Sequence, residues 1–333
     1  EYKRPTILTL IFIVGEAVIE TIIPFITANL VNRIKAGASI ESVMEVGLLL
    51  IIMAAISLVC GGLAGFTCAK ASTGFAKNLR SDLFHRIQTY SFENIDKFSS
   101  SSLVTRMTTD VTNVQMAFMM LIRIAIRSPL LLIFSTVMAF VMGGKLAFVF
   151  VVVIPILAIG LLAIGKKAMP AFRSVFKKYD RLNESIEENV RGMRVVKGFS
   201  REEYEKQKFN TAADNIRKDF TKAECIVALN TPLMNLCMYI NMVVVLLVGS
   251  KLAITSGGSA LDVGQISGML TYGMQILMSL MMLSMIYVMV TMSAESAKRI
   301  CEVLKEEPSL KEPETPVMEV KDGSIEFKNV NFK

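Results

Sequence analysis

Long stretches of apolar residues, separated by charged segments, dominate the chain. Six of these stretches are long enough for the roughly 20 residues that a helix needs to cross a bilayer. An even number of crossings places both termini on the same side of the membrane. The pattern therefore predicts an all-α membrane protein with six transmembrane helices. The apolar stretches cover residues 6–31, 44–69, 116–142, 146–165, 226–249 and 263–292.

Helical spacing of apolar residues continues well beyond several of these stretches. The second helix would be about 80 Å long at 1.5 Å per residue, whereas the hydrocarbon core is about 30 Å thick. We therefore expect a transmembrane domain over residues 1–305, in which cytoplasmic extensions of the long helices pack into a stalk. The predicted helices cover residues 6–34, 43–96, 103–142, 146–190, 200–249 and 263–305.

Lysine and arginine are distributed unequally between the two ends of these helices. Residues 166–222 alone hold 15 of the 36 basic residues. Because positive residues favour the cytoplasmic side, the stalk and both termini are predicted to be cytoplasmic. The first apolar stretch is too long for a signal peptide, so we interpret it as a retained first span near the original N-terminus. The three short connections hold only four basic residues, Arg33, Lys35, Lys145 and Lys251.

Two turns at the far end of the stalk are candidate docking elements. In the second turn, Gly192 and Gly198 bracket a short amphipathic helix whose apolar patch is flanked by positive charge. Such a helix fits a groove on another domain, and a solvated turn between two helices explains the same pattern. In the first turn, serines can cap the following helix. The candidate docking residues are Ser101, Ser102, Leu103 and Arg106 in the first turn, and Arg191, Gly192, Arg194, Val195, Val196, Lys197 and Phe199 in the second.

Polar side chains inside the spans predict a substrate cavity. Glu16 and Glu20 share one face of the first helix, where they either line a wet cavity that tolerates cationic groups or bond a neighbouring helix. Arg123 and Arg127 share a face of the third helix, and snorkelling or pairing at the inner interface is the favoured explanation for both. Methionines of the sixth helix suit a promiscuous binding surface or ordinary helix packing. The candidate cavity residues are Glu16, Glu20, Asn230, Asn235, Tyr239, Thr271, Tyr272, Gln275, Met278 and Met282.

The character of the chain changes after residue 305. Three prolines among acidic residues indicate a linker over residues 306–323. From residue 324 apolar residues alternate with polar ones, which predicts the first strands of a truncated further domain over residues 324–333.

Composition excludes several classes of function. The chain is 53% hydrophobic with a mean hydropathy of +0.51, too apolar for a soluble domain of 333 residues. The net charge of +7 fits a basic cytoplasmic face, and no nucleic-acid partner is expected. Five scattered cysteines and one histidine predict neither a disulfide framework nor a metal site. Residues 160–167 nearly match a phosphate-binding loop, but Lys167 replaces the required Ser or Thr, so we expect no catalytic or cofactor-binding residue in this chain.

Several motifs resemble the membrane domain of ATP-binding cassette (ABC) exporters. Residues 188–199, ENVRGMRVVKGF, are very similar to the second coupling helix of that family. Residues 106–110 match its Arg-x-x-x-Asp motif, and residues 325–332 resemble the start of its nucleotide-binding domain. Residues 123–129 and the Met-rich sixth helix are similar to heterodimeric multidrug exporters of bacteria. The first turn departs from the family, which usually has glycine and an acid at residues 101–102.

The resemblance implies the type IV exporter fold with two coupling helices. It also implies ATP-driven export of amphipathic drugs, lipids or peptides across the bacterial cytoplasmic membrane by alternating access. ATP and Mg²⁺ would bind outside this chain, so ATP hydrolysis would belong to the full-length translocase. The implied partners are a second half-transporter (a heterodimer rather than a homodimer), nucleotide-binding domains, the lipid bilayer and an amphipathic small molecule. Half of a secondary transporter, and a receptor or scaffold that relays a signal through the stalk, are the alternatives.

Overall fold

Helices make up nearly all of the computed structural model, which describes residues 2–257, 261–308 and 322–331. These residues contain no strand, which confirms the prediction of an all-α membrane protein. A π-helical turn, Arg106–Asp110, joins α4 to α5, and a 3-10 turn, Gly144–Ala147, joins α5 to α6. The helices are α1 (Lys3–Lys35), α2 (Ile40–Gln88), α3 (Phe92–Phe98), α4 (Ser100–Thr105), α5 (Val111–Gly143), α6 (Phe148–Arg191), α7 (Met193–Gly198), α8 (Glu202–Ala228), α9 (Asn230–Thr255) and α10 (Val263–Lys305).

Five helical segments among the described residues are long and apolar enough to cross a membrane. One of them, Ser100–Arg191, has 92 residues and contains two of the six apolar stretches. Within it the chain reverses at Gly144, whose φ of +48° glycine adopts readily. Leu132 and Leu157 pack in one apolar cluster, whereas a straight helix would hold them about 37 Å apart. The six apolar stretches therefore lie on five helical segments, one of which folds back on itself.

The predicted second helix, residues 43–96, is two helices in the structure. α2 ends at Gln88, and α3 begins after Ser91. Ser91 and Asn94 form a capping box, in which the side chain of each residue bonds the backbone N–H of the other. The capping box satisfies backbone donors in the first turn of α3, so the chain bends here without leaving them unpaired.

The predicted fifth helix, residues 200–249, is likewise interrupted, at Leu229. Pro232 follows three residues later and has no N–H with which to bond the carbonyl of Ala228, which accounts for the interruption. α9 then continues past the predicted end, because Gly249 is a buried packing position and not a stop signal. The bounds of α1, α6 and α10 lie within three residues of those predicted, and the predicted third helix, residues 103–142, corresponds to α4, the π-helical turn and α5 together.

The helices pack in two groups that share α10. α1, α2, α5 and α10 form one bundle, and α6, α8 and α9 form a second group, in which α6 and α9 contact α10. Tyr272 of α10 is fully buried and donates a hydrogen bond to the carbonyl oxygen of Thr21 at 2.7 Å. At Gly264 an added Cβ would lie 2.0 Å from the carbonyl oxygen of Ala28. Glycine at this position therefore allows α10 to pack closely against α1.

α6 and α8 form an arm of the stalk that ends in α7. Val175 and Ile216 are buried in this arm. The rings of Phe172 and Phe220 meet edge to face with centroids 5.9 Å apart. These apolar contacts hold the two helices side by side, as the helical spacing of apolar residues predicts for a packed stalk.

An ion-pair network joins the π-helical turn, next to the first turn of the stalk, to the last part of α10. Nε of Arg299 donates to the Asp110 carboxylate at 2.8 Å, and Nη2 of Arg299 pairs with the same carboxylate. Arg106 donates to the carbonyl oxygen of Arg299 at 2.5 Å and pairs with Glu302 at 3.2 Å. Burial acts to raise the pKa of Asp110, but hydrogen bonds from Arg299 and Ser296 outweigh it and hold that pKa below its ordinary value. Asp110 is therefore ionised in the folded protein at neutral pH.

The end of the chain differs from the sequence prediction. The predicted linker, residues 306–323, lies largely outside the described residues. Residues 322–331 carry no strand, and Ile325 and Phe327 are 83% and 79% exposed. A strand needs a neighbouring strand to bond its N–H and C=O groups, and the described residues provide none. The first strands of a further domain therefore stay a prediction.

Replacing Asp110 with asparagine should lower the thermal unfolding midpoint of the purified protein, followed by circular dichroism in a neutral detergent. The substitution leaves Arg299 without its carboxylate, a loss of about 1–3 kcal/mol. Because the folded pKa of Asp110 lies below its ordinary value of 3.8, the ion pair stabilises the fold above that pH. This stability is lost as the pH falls through the folded pKa, so the difference between wild type and variant should shrink in acid.

Asp214→Asn is the matched control, because Asp214 pairs with Arg217 and Lys218 on the exposed face of α8. We expect no resolvable change in its midpoint. A difference between wild type and Asp110→Asn that stays constant from neutral to acid pH would contradict this account of the network.

Candidate functional site: a cavity among the spans and two stalk tips

A cavity of about 800 Å³ lies between α1, α5 and α10. Its wall combines methionines and branched apolar side chains with a few polar and charged groups, a composition typical of small-molecule sites. The lining residues are Glu20, Ile23, Pro24, Met119, Met120, Arg123, Ile124, Arg127, Ser128, Leu131, Thr271, Met274, Gln275, Met278, Ser279 and Met282.

The two acids of α1 converge on one arginine of α5. Nη2 of Arg127 donates to both carboxylate oxygens of Glu20, at 2.6 and 2.7 Å. Glu16 lies 3.5 Å from the same nitrogen and contacts α2, where an added Cβ at Gly61 would be 3.0 Å from its carboxylate. Glu20 therefore both lines the cavity and bonds a neighbouring helix, whereas Glu16 lies between helices outside the lining.

Because Glu20 is paired with Arg127, the carboxylate that lines the cavity is not free to bind a cationic substrate. The side chains of Arg127 and Glu20 are 36% and 29% exposed, so each compensates the charge of the other in a partly covered site. The spacing of the charged residues in the sequence fits this contact, although the contact was not predicted. Glu16 and Glu20 are four residues apart on one helix, and Arg123 and Arg127 have the same spacing on another.

Arg123 has a different environment from Arg127. It lines the cavity, and within the described part of the chain no carboxylate lies within 4.0 Å of its guanidinium. Its Nη1 would lie 3.6 Å from a Cβ added at Gly65 of α2, so the guanidinium packs against α2. Arg127 thus pairs as expected, whereas Arg123 has no carboxylate partner in the described part of the chain.

Four of the predicted cavity residues lie on α10 and line the cavity as a group: Thr271, Gln275, Met278 and Met282. Gln275 accepts a hydrogen bond from Ser135 at 2.8 Å and donates to the carbonyl oxygen of Glu20 at 3.3 Å. Met278 is 54% exposed, so its thioether is free to contact a bound molecule.

The other predicted cavity residues do not line this cavity. Tyr272 is buried against α1, as described above. Asn230, Asn235 and Tyr239 lie on α9, and Asn235 and Tyr239 are exposed. α9 packs against α6 and α10 through Cys237, and Asn235 and Tyr239 lie off that buried face, whereas Asn230 lies two turns before Cys237 on the same face. Hydrophobic and polar spacing alone could not show which face of α9 its neighbours would cover.

The second turn of the stalk forms the predicted short helix, α7. Val195 is 62% exposed and Phe199 77% exposed, and Arg191 pairs with Glu187 at 2.8 Å. Gly192 has an ordinary φ of −84°, so the break does not need glycine backbone angles. The positive φ of the turn belongs instead to Ser200, at +52°. The tip thus presents apolar side chains that the described residues leave uncovered.

The first turn differs more from its prediction. Ser101 is exposed, and Ser99 rather than Ser101 or Ser102 caps α4 by accepting from the backbone N–H of Ser102. Leu103 is buried in the stalk core, and Arg106 is held by α10. Both therefore stabilise the stalk and are not free to dock. Phe92, which was not predicted as a docking residue, is 87% exposed at the start of α3.

A family model described as the ABC transporter transmembrane region matches residues 6–281. The chain belongs to this family. Among curated proteins it is 31% identical over 326 residues, 98% of the chain, to an uncharacterized ABC transporter ATP-binding protein, YfiB, of Bacillus subtilis. It is 26% identical over 315 residues to an uncharacterized ABC transporter ATP-binding protein of Mycobacterium tuberculosis, covering 95% of the chain.

A third relative of this ABC membrane domain is named an ATP-dependent lipid A-core flippase, from Pseudomonas syringae pv. tomato. The identity is 27% over 207 residues, which is 62% of the chain and 34% of the relative. The chain spans about half the length of the first two relatives, 56% and 54%. Family membership makes this chain an integral membrane protein of the ABC transporter class, and the secondary-transporter alternative loses its support.

Nothing in the described residues of this ABC membrane domain adds a metal or phosphate site. No group of three or more His, Cys, Asp or Glu residues within the described ranges is arranged to hold a metal ion. Residues 160–167, which nearly match a phosphate-binding loop, lie inside α6. A phosphate-binding loop joins a strand to a helix, so this match is a coincidence of sequence.

Glu20 and Arg127 should be energetically coupled. In a double-mutant cycle with Glu20→Gln and Arg127→Gln, each single change should lower the thermal unfolding midpoint. The double variant should lose less than the sum of the two, with a coupling of about 1–3 kcal/mol. Lys35 and Asp262, an exposed pair 3.0 Å apart, provide the control cycle, for which we expect a coupling below about 1 kcal/mol. Additive losses for Glu20 and Arg127 would show that their contact does not hold α1 to α5.

Proposed function

We propose that this chain is the membrane-spanning half of an ATP-driven exporter that moves amphipathic molecules across the bacterial cytoplasmic membrane. Membership of the ABC transporter family supports ATP as the energy source. ATP and Mg²⁺ bind a nucleotide-binding domain outside this chain, and the full-length translocase hydrolyses the ATP. The lipid A-core flippase among the relatives supports a lipid or another amphipathic molecule as cargo.

The observation that carries this proposal is the exposure of α7. Phe199 is 77% exposed at the end of an arm built from α6 and α8. Burying a phenylalanine in a partner contributes about 1.5–3 kcal/mol. A nucleotide-binding domain that covers this tip gains that free energy, while Arg194 and Lys197 at the rim contribute less. The tip therefore works as a coupling helix between ATP hydrolysis and the membrane helices.

Transport then follows from alternating access. Two half-transporters pair, and ATP binding closes their nucleotide-binding domains against each other. The arm, and the ion pairs between the π-helical turn and α10, convey this closure to α10, which lines the cavity. For the cycle to move cargo, ATP and cargo must each bind the inward-facing and outward-facing states with different affinities. The methionine wall on α10 is exposed in this chain, so a second half-transporter would complete the cavity. The similarity of residues 123–129 to heterodimeric multidrug exporters supports a heterodimer.

Removing the Phe199 side chain should uncouple hydrolysis from transport. In the full-length transporter, Phe199→Ala should leave membrane insertion and basal ATP hydrolysis largely intact, because it touches neither the spans nor a nucleotide site. Substrate stimulation of hydrolysis, and transport per ATP hydrolysed, should both fall several-fold. Both are measured in proteoliposomes with a fluorescent amphipathic dye.

Phe84→Ala is the matched control for this experiment. Phe84 is an aromatic residue of α2 that is 51% exposed and lies outside the second tip. This control should transport normally. Normal transport per ATP in Phe199→Ala would mean that the tip is only a turn between two helices.

The proposed orientation places the stalk and both termini in the cytoplasm. Residues 166–222, which form the arm, hold 15 of the 36 basic residues, as the positive-inside rule requires. In a cysteine-free background, a cysteine replacing Ser39 should react with a membrane-impermeant maleimide added outside intact cells. A cysteine replacing Ser200 should react only after the cells are lysed. The reversed pattern would overturn the orientation and the direction of export.

A further inference from the structure

We infer that the cavity selects amphipathic molecules with an anionic group, and that Arg123 is the residue that binds this group. This inference rests on the proposed function, since it names the class of molecule that the exporter moves. The charged residues lining the cavity are two arginines and one glutamate, Arg123, Arg127 and Glu20. Positive charges therefore outnumber negative ones by one among the lining side chains, while Glu16 lies behind them against α2.

The excess charge lies on Arg123. Glu20 already accepts two hydrogen bonds from Arg127, so these groups form a neutral part of the wall. Glu16 adds its charge to the same arginine but does not line the cavity. Charged side chains within membrane helices usually pair with an opposite charge or face a cavity. A bound anion provides that opposite charge and pairs with the guanidinium through charge-assisted hydrogen bonds.

The depth of Arg123 fits the head of an amphipathic molecule. Arg123 lies 20 residues from Gly143, the end of α5 near the short connections, and therefore about 30 Å from that end. The hydrocarbon core is also about 30 Å thick, so the guanidinium reaches the boundary of this core on the stalk side. Polar heads of lipids and other amphipathic molecules lie at this boundary. The guanidinium lies beside Gly65 of α2, so it faces a neighbouring helix while Arg123 stays exposed.

The apolar wall fits the tail of the same molecule. Met274, Met278 and Met282 extend along α10 over about 12 Å, and each is more than 40% exposed. Thioethers adapt to tails of different shape, so this wall contributes affinity without selecting one tail. Charge selection by Arg123 and adaptable tail contacts together define the class: anionic amphipathic molecules, whether membrane lipids or soluble compounds.

Matched probes test this inference on the full-length protein, in nanodiscs of phosphatidylcholine and without ATP. Dodecyl phosphate and dodecyltrimethylammonium share a tail and differ in the charge of the head. By calorimetry, the wild type should bind dodecyl phosphate more tightly. Arg123→Gln should weaken dodecyl phosphate binding at least about tenfold and leave the cationic probe unchanged. Arg123→Lys should restore part of the lost affinity, and Lys145→Gln, at the opposite end of α5, should bind like the wild type.

Two further measurements identify the source of the anionic group. Competition by phosphatidylglycerol placed in the nanodisc would show that a membrane lipid supplies it. If phosphatidylglycerol fails to compete, a soluble anionic amphipath is the ligand, and Arg123 still selects it. Inorganic phosphate alone should bind far more weakly, because it makes no contact with the methionine wall. Equal binding of inorganic phosphate and dodecyl phosphate would overturn the amphipathic class.

The inference fails if the wild type binds the cationic probe more tightly, or if Arg123→Gln weakens both probes equally. The wild-type preference decides the question even if Arg123→Gln does not fold. Failure of the proposed function has a different signature, because binding here is measured without ATP. A protein that binds dodecyl phosphate through Arg123 but transports nothing with ATP would refute export and leave the anion site standing.

Discussion

The packing of α10 against α1 and α5 is the interaction on which the rest of this structure depends. Gly264 brings α10 close to α1, and Tyr272 closes a hydrogen bond across the same interface. Further along the helix, Arg299 binds Asp110 of the π-helical turn. α10 also contacts α6 and α9, so it joins the two groups of helices. A change at the stalk can therefore reach the cavity wall through one continuous helix.

Charges hold the two ends of this bundle in different ways. Where the π-helical turn meets α10, Asp110 is fully buried and Arg299 half-exposed, so water screens their pairing only in part. In the cavity, Arg127 satisfies the acids of α1 and leaves Arg123 unpaired. The first pair stabilises a fixed junction. In the second group Arg123 lines the cavity without a carboxylate partner among the described residues, which is the basis of the anion site that we infer.

The family motifs divide into structural and docking parts when their burial is compared. Arg106 and Leu103, from the first motif, are bound within the stalk, and their contacts hold the π-helical turn to α10. Val195 and Phe199, from the second motif, are exposed at the end of the arm. The arm is long and held mainly by its own apolar contacts, so a partner domain that covers its tip can move it as a unit.

The sequence by itself determined the class of the protein, its apolar stretches, its stalk and its second tip. These follow from local spacing, because a helix in lipid must satisfy its own backbone groups and its residues repeat every 3.6 positions. The breaks at Ser91 and Leu229 were also encoded locally, by a capping box and a proline. Only the tertiary structure decided that Glu20 pairs with Arg127, that Arg123 remains free, and that Asn235 and Tyr239 lie outside the cavity. Such contacts join residues up to 250 positions apart, and helical periodicity gives the face of a helix but not the neighbour that covers it.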